Sequence, residues 1–239
     1  MQKYFYTENN IKVPAVTTKQ MMEIDRIAME ETGPNLYQMM ENAGRNLAIT
    51  IMEMVAEVID PSIVILGGTG GNGGGGICAA RHLLNRNYNV TLAITDGTKL
   101  NDVPKKQFEV YINTGGKIVE NLDEIKADII VDAIIGYSLT DSPKRRAMQF
   151  IEWANKQTAK KISLDVPSGI DATSGENYGE YFHTDSTLTL ALPKTGLTEE
   201  KCGKLLLGDI GIPKVVYEKI SIEYRSPFKN RFVVELNYK

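Results

Sequence analysis

Eight of the ten residues from Gly67 to Gly76 are glycine, with only Thr69 and Asn72 interrupting. Glycine loses more backbone entropy on folding than any other residue, so a run this dense is costly to order. An apolar run, Ile63-Val64-Ile65-Leu66, precedes it, and a helical pattern, Ile77-Cys78-Ala79-Ala80-Arg81-His82-Leu83-Leu84, follows. A glycine loop between a strand and a helix lets backbone N–H groups approach a ligand with no Cβ in the way. The helix start adds free N–H groups and partial positive charge. Phosphate or pyrophosphate is the expected guest. A turn that serves only close packing is the alternative.

Further along the chain, short apolar runs alternate with helical patterns. Thr17 and Gln20 have capping-box spacing and open a helix through Met21, Ile24 and Ala28. A second amphipathic helix carries Leu36, Met40, Ala43, Leu47, Ile51 and Val55 on one face. Strands are expected at Ile63–Leu66, Val90–Ile94, Lys117–Val119, Ile129–Ala133, Lys161–Leu164, Leu188–Leu192 and Lys204–Leu207. Helices are expected at Ile77–Arg86, Pro104–Asn113 and Arg145–Ala159. Such alternation predicts an α/β fold with a mostly parallel sheet covered on both faces. Arg231–Leu236 reads as an edge strand or an oligomer contact.

The chain length of 239 residues suits a single domain, 1–239. A net charge of −3 gives no electrostatic case for nucleic acid or an acidic membrane surface. The two cysteines, Cys78 and Cys202, form neither a disulfide framework nor a zinc spacing. No run is long and apolar enough for a membrane span, and Met1–Phe5 lacks a signal-peptide core. Cytoplasmic residence is the expectation.

In an open parallel sheet, ligands bind beyond the carboxyl ends of the strands. Four segments fall there: the glycine run, Asp132 through Ser138, Asp165-Val166-Pro167-Ser168-Gly169, and Leu192-Pro193-Lys194-Thr195-Gly196. Gly68, Gly70 and Gly73 satisfy G-x-G-x-x-G, but any run this glycine-rich does so. Asp96 also lies further on than a ribose-binding acid should. The lysine and hydroxyl of a triphosphate P-loop are missing. Ser168 has no histidine positioned to activate it, and G-x-S-x-G is absent. Asp132 and Asp165 each follow an apolar strand, where a carboxylate either forms a turn or serves the pocket.

Taken together, these segments closely resemble the NAD(P)H-hydrate epimerase family, the YjeF N-terminal domain, over about residues 15 to 215. The pieces are Met40-Glu41-Asn42-Ala43-Gly44-Arg45, the glycine run with Ala79-Ala80-Arg81-His82-Leu83, and Val131-Asp132-Ala133-Ile134-Ile135-Gly136. They continue with Leu164-Asp165-Val166-Pro167-Ser168-Gly169-Ile170-Asp171, Thr189-Leu190-Ala191-Leu192-Pro193-Lys194 and Asp209-Ile210-Gly211-Ile212-Pro213. The resemblance implies a Rossmann-like three-layer α/β/α sandwich. It implies interconversion of the R and S forms of NADHX and NADPHX, nicotinamide cofactors hydrated at C6, for metabolite repair. It also implies a separate NAD(P)HX dehydratase in the same pathway, and a homodimer is the family-level expectation.

Carried over by position, the resemblance implies a potassium ion held by Asn72, Asp132 and Ser168. It implies substrate contacts from Gly71, Asn72, Gly73, Gly74 and Gly75, from Gly136, Tyr137, Ser138, Leu139, Thr140, Asp141 and Ser142, and from Asp165, the candidate catalytic residue. One departure stands out. The family's N-N-G-G-D-G is here Gly71-Asn72-Gly73-Gly74-Gly75-Gly76, so glycine replaces the first Asn and the Asp. The missing carboxylate makes a catalytically silent nucleotide- or protein-binding module the alternative to an active epimerase. A nicotinamide oxidoreductase, suggested only by G-x-G-x-x-G, would need a substrate domain that this length hardly accommodates.

Overall fold

The computed structural model describes residues 2–238. Strands β1 (Tyr4–Thr7) and β2 (Lys12–Pro14) come first, then helices α1 (Thr18–Ile27) and α2 (Leu36–Met54). Both helices open on capping boxes: Thr17 with Gln20, as the spacing predicts, and Asn35 with Gln38. The alternating part follows as β3 (Ser62–Gly67), α3 (Gly71–Leu84), β4 (Asn89–Ile94), α4 (Asp102–Asn113), β5 (Lys117–Ile118), β6 (Ile129–Ala133), α5 (Arg146–Asn155) and β7 (Lys160–Leu164). The chain continues with β8 (Ser186–Leu190), α6 (Glu199–Cys202), β9 (Lys204–Gly208), α7 (Lys214–Lys219) and β10 (Val233–Asn237).

These strands form a 10-stranded sheet in the order β2-β1-β10-β9-β8-β7-β6-β3-β4-β5. From β9 to β5 every pairing is parallel, while β10, β1 and β2 extend the sheet antiparallel. Strand β10 therefore lies inside the sheet, between β9 and β1, and not at its edge. The β3 strand shows the period-two logic of a buried strand. Ile63 and Ile65 pack with Leu47 and Ile51 of α2, Ile77 of α3 and Tyr111 of α4. Val64 and Leu66 point to the other face, against Phe150 and Ile151 of α5. Helices cover both faces, which gives the three-layer α/β/α arrangement.

The strand order reverses between β3 and β6, which are paired although two strands, β4 and β5, lie between them in sequence. A crevice opens at such a switch point, beyond the carboxyl ends of the two strands. Gly67 ends β3 and Ala133 ends β6, so the glycine run and the segment after Asp132 meet there.

The glycine run itself differs from the expected loop. Helix α3 starts at Gly71, with Gly70 as its N-cap, so most of the run is the first turns of the helix. Glycine in a helix interior costs about 1 kcal/mol relative to alanine, so packing must compensate. The spacing shows how. A Cβ on Gly73 would lie 1.9 Å from the carbonyl oxygen of Gly68, and one on Gly76 would lie 2.5 Å from Cβ of Ala133. Only hydrogen at these positions lets α3 sit against the end of the sheet.

Candidate active site

A cavity of about 410 Å³ opens at the switch point. Its volume falls in the range of small-ligand clefts. The N-terminus of α3 contributes Gly71, Asn72 and Gly75, the segment after β6 contributes Gly136, Tyr137 and Ser138, and the end of β7 contributes Asp165. Much of the rest is apolar wall from α1 and α2, including Met21, Met22, Met39 and Met40. The first turn of α3 carries no acidic residue and its N-cap has no side-chain bond, so no internal anion occupies the helix start, whose Gly71 and Asn72 line the cavity. Gly73, Gly74, Leu139, Thr140, Asp141 and Ser142 do not line the cavity. Gly73 and Gly74 are buried behind it, and Asp141 is exposed and paired with Lys144.

Asp165 sits on the floor of this cavity, 4% exposed. Strand β7 ends one residue earlier, and Asp165 turns sharply with φ +68°. The Val166 N–H donates to the Leu164 carbonyl at 2.9 Å, closing a three-residue turn around it. The end of β8 repeats the device: Ala191 has φ +61° and Leu192 N–H donates to Leu190 O at 2.7 Å. That is why β8 stops at Leu190, short of the predicted Leu192. A positive-φ turn of this type is rare and strained for a residue with a side chain. Such strain persists where surrounding contacts over-determine it, and it clusters at functional sites.

Lys194, 1% exposed, supplies those contacts. Its ammonium donates to Asp165 Oδ1, to the Leu190 carbonyl at 2.9 Å and to Thr189 Oγ1 at 3.4 Å. Leu190 N–H reaches the same Asp165 oxygen at 3.2 Å. The other oxygen, Oδ2, lies beside Gly136 of the cavity lining and, among the described residues, receives only the Tyr137 N–H, at 3.3 Å. One carboxylate oxygen is thus anchored and the other is available for chemistry.

Asp132 is fully buried and is not part of the cavity lining. Its side chain lies on the sheet face of Ile130 and receives four hydrogen bonds. Ser168 Oγ donates to Oδ1 at 2.5 Å, as does Ile134 N–H at 3.1 Å. Ser168 N–H donates to Oδ2 at 2.8 Å, as does Ser163 Oγ at 3.0 Å. Burial pushes this carboxyl up to about 6, against the pull of the Ser168 hydrogen bonds. Ser168 Oγ also accepts the Ile135 N–H at 2.8 Å. Asn72 comes close to the next residue: a Cβ on Gly136 would lie 3.3 Å from Asn72 Oδ1 and 3.3 Å from Asp165 Oδ2. Asp132 and Ser168 are therefore in direct contact, and Asn72 borders the same turn. The Asn72 side-chain nitrogen is buried without a hydrogen-bond partner among the described residues.

Three further cavity residues carry charge and are not singled out by the sequence reading: Lys194, Asp25 and Arg26, the last engaged by Glu23, Glu30 and Glu31. Lys194 lies in one of the four strand-end segments, but its role depends on a side chain folding back under Asp165. Asp25 interrupts the apolar face of α1, four residues after Met21 and four before Met29, and that interruption was the available signal. Tyr137 Oη donates to Asp25 Oδ2 at 2.5 Å. Burial raises the Asp25 carboxyl above the usual range, with the Tyr137 bond and Lys194 opposing.

A second polar cluster joins α2 to α3 away from the cavity. Glu41 accepts Arg81 at 2.6 and 2.7 Å and meets His82 Nε2 at 2.8 Å and Cys78 Sγ at 3.3 Å. Burial works against the ionised form of Glu41, but the Arg81 bonds prevail and hold it down to about 2. With a guanidinium on both carboxylate oxygens, the cluster is an interhelical clamp.

Comparison with known proteins agrees with this architecture. The family model described as YjeF-related protein N-terminus matches residues 36–196. A protein of Dehalogenimonas lykanthroporepellens called NAD(P)H-hydrate epimerase is 46% identical over 236 residues, covering 97% of this chain and 96% of the relative. One of the same name from Elusimicrobium minutum is 31% identical, covering 86% and 99%. The crystal structure of the yeast protein ynu0 superposes with a TM-score of 0.81 at 22% identity, covering 92% of this chain and 99% of that one. The extent of these matches, over the segments that build the cavity, shows that the chain belongs to the YjeF-related N-terminal family.

Proposed function

We propose that this protein is an NAD(P)H-hydrate epimerase, interconverting the R and S forms of NADHX and NADPHX for metabolite repair. The observation that carries the reading is Asp165, anchored through one oxygen and open through the other, at the floor of a switch-point cavity. The name of the 46% identical relative supports it. The N-terminus of α3 suits the pyrophosphate, because it borders the cavity with no competing acid. The apolar methionine wall suits the flat faces of the nicotinamide ring.

The chemistry follows from the hydrate itself. Its C6 hydroxyl lies beside the ring nitrogen. Proton transfer from an acid to that hydroxyl lets the nitrogen lone pair expel water, leaving an iminium ion. Water then adds to the other face of C6 and gives up a proton to a base. Asp165 Oδ2 is the proposed proton carrier, and the ionised carboxylate stabilises the cationic intermediate. Lys194 and Leu190 fix the carboxyl plane by holding Oδ1, so Oδ2 is presented to the cavity in one orientation. Replacing Asp165 by Asn should slow epimerisation by at least about tenfold, the loss of an acid–base group. Equal rates for the two proteins would remove Asp165 from the mechanism.

Asn72, Asp132 and Ser168 are proposed to hold a potassium ion, and their chemistry fits. The buried, unpartnered end of the Asn72 amide becomes a lone-pair oxygen if the amide is turned over, and hydroxyl and carboxylate oxygens complete a hard-cation donor set. The four bonds already on Asp132 mean that an ion in direct contact would displace one of them. A bound cation would supply positive charge beside Asp132 and brace the turn through Gly136. The product would pass to a separate dehydratase, and a cytoplasmic homodimer is the proposed setting.

A further inference from the structure

We propose that Asp25 is a second acid–base residue of this site, serving the face of the substrate ring opposite Asp165, so that the two carboxyls share one working proton. The inference rests on the epimerase reading above.

Inverting C6 by loss and re-addition of water makes demands on both faces. A hydroxyl must be protonated where it leaves, and water must be deprotonated where it arrives. A lone carboxyl would have to reach round the ring or wait for the ring to turn over. Two carboxyls far enough apart to admit a ring and a water meet the demand directly, as in hydrolases that invert a sugar carbon through a cationic transition state.

The cavity is lined by two carboxyls, Asp25 on α1 and Asp165 at the end of β7. Tyr137 spans the gap between them: its backbone N–H reaches Asp165 Oδ2 at 3.3 Å, and its phenol donates to Asp25 Oδ2 at 2.5 Å. The carboxyls therefore lie at opposite ends of one tyrosine and do not bond each other. Asp25 has no salt-bridge partner among the described residues, and only Tyr137 bonds its carboxyl, which sits in the methionine wall of the cavity. A carboxyl with one hydrogen bond on an apolar face is costly to folding, and a leucine would fill the position more cheaply.

The proton balance closes. In one direction Asp25 gives its proton to the departing hydroxyl, the C6–O bond breaks, and water leaves as the nitrogen lone pair forms the iminium bond. A water on the other face forms the new C6–O bond and passes its proton to Asp165. The reverse direction exchanges the roles, and exchange with solvent resets the pair. Both directions need one proton on the pair, so activity falls at high pH, where Asp25 has lost its proton. The charged and titratable groups facing Asp25 are Tyr137, Lys194 and Asp165. Arg26, next on the helix, is engaged by Glu23, Glu30 and Glu31.

The test measures kcat and KM for purified R-NADPHX across pH with the wild type, Asp25→Asn, Asp25→Glu and Tyr137→Phe, each checked for folding by circular dichroism. Asp25→Asn should lower kcat by at least about tenfold with little change in KM, and Asp25→Glu should restore part of it. Tyr137→Phe removes a donor that favours ionised Asp25, so the high-pH limb should move to higher pH. That limb keeps the proposal testable if Asp25→Asn fails to fold. A wild-type kcat in Asp25→Asn, or an unmoved limb in Tyr137→Phe, overturns the assignment while leaving the epimerase reading intact. A wild type that never exceeds the buffer rate overturns that reading, and this assignment with it.

Discussion

Replacing Lys194 by Met keeps the apolar stem and removes the charge that holds the floor of the cavity. Lys194 and Asp165 are 1% and 4% exposed, so the pair is shielded from solvent. After the change, Asp165 Oδ1 retains only Leu190 N–H at 3.2 Å and Thr189 Oγ1 at 3.4 Å, and the Leu190 carbonyl loses its donor at 2.9 Å. Removing one partner of a buried pair costs about 3–5 kcal/mol, because the other charge is left uncompensated. The open side of Asp165 toward the cavity argues for the lower end, about 3 kcal/mol. For a chain of this size that corresponds to a fall in melting temperature of roughly 6–12 °C. The assay is thermal and urea unfolding of the wild type, Lys194→Met, and Lys194→Met combined with Asp165→Asn. The double variant leaves no buried charge unpaired, so it should recover much of the loss. A Lys194→Met protein melting within about 1 °C of the wild type would refute the claim that this pair organises the site.

Other predictions concern the glycine turn and the cation. Gly73→Ala brings a methyl within 1.9 Å of a carbonyl oxygen, backbone against helix, and should destabilise by at least about 2 kcal/mol, seen as a lower urea midpoint. Gly75→Asp introduces the acid that the family resemblance implies at this position. A Cβ at this position crowds the end of the Leu164 side chain, at 2.8 Å, which can rotate, and meets Ala43 Cβ at an ordinary 3.9 Å, so the variant should fold and raise turnover of R-NADPHX. If the unaltered chain is already as fast, that carboxylate is dispensable. Potassium chloride should raise the melting temperature above that in choline chloride of equal ionic strength, by about 2.7 kcal/mol of stabilisation at a hundred times Kd. Asn72→Ala should abolish this difference while leaving the melt in choline unchanged.

Much of the fold could be read from the sequence because its strongest signals are local. The short apolar runs at Ile63–Leu66 and Ile129–Ala133 form central strands, and Thr17 caps α1 through Gln20 as the spacing predicts. In sequence the glycine run reads as a loop, because propensity disfavours six helical residues so rich in glycine. Long-range packing of Gly73 on Gly68 and Gly76 on Ala133 decided the matter. The antiparallel extension escaped notice for the same reason, since β10 is defined by pairing with β9 and β1 at the far ends of the chain. In the site, Asp165 and Asp132 were visible as polar residues ending apolar strands. Their different surroundings were not. Strand alternation sends Asp132 to the α5 face, where Ser163 and Ser168 enclose it, and the positive-φ turn aims Asp165 into the cavity. Lys194 and Asp25 act through side chains that meet only once α1, β7 and β8 are assembled.

The central claim is that this cavity inverts C6 of a hydrated nicotinamide cofactor, and an epimerase must work from both sides. The direct measurement starts separate reactions from purified R-NADPHX and from purified S-NADPHX in potassium buffer, follows both epimers by chromatography, and compares each with buffer alone. Relaxation of both reactions to one common ratio, faster than in buffer and without formation of NADPH, is the predicted result. Relaxation at the buffer rate from either epimer, by protein that still binds NADPHX, would contradict it.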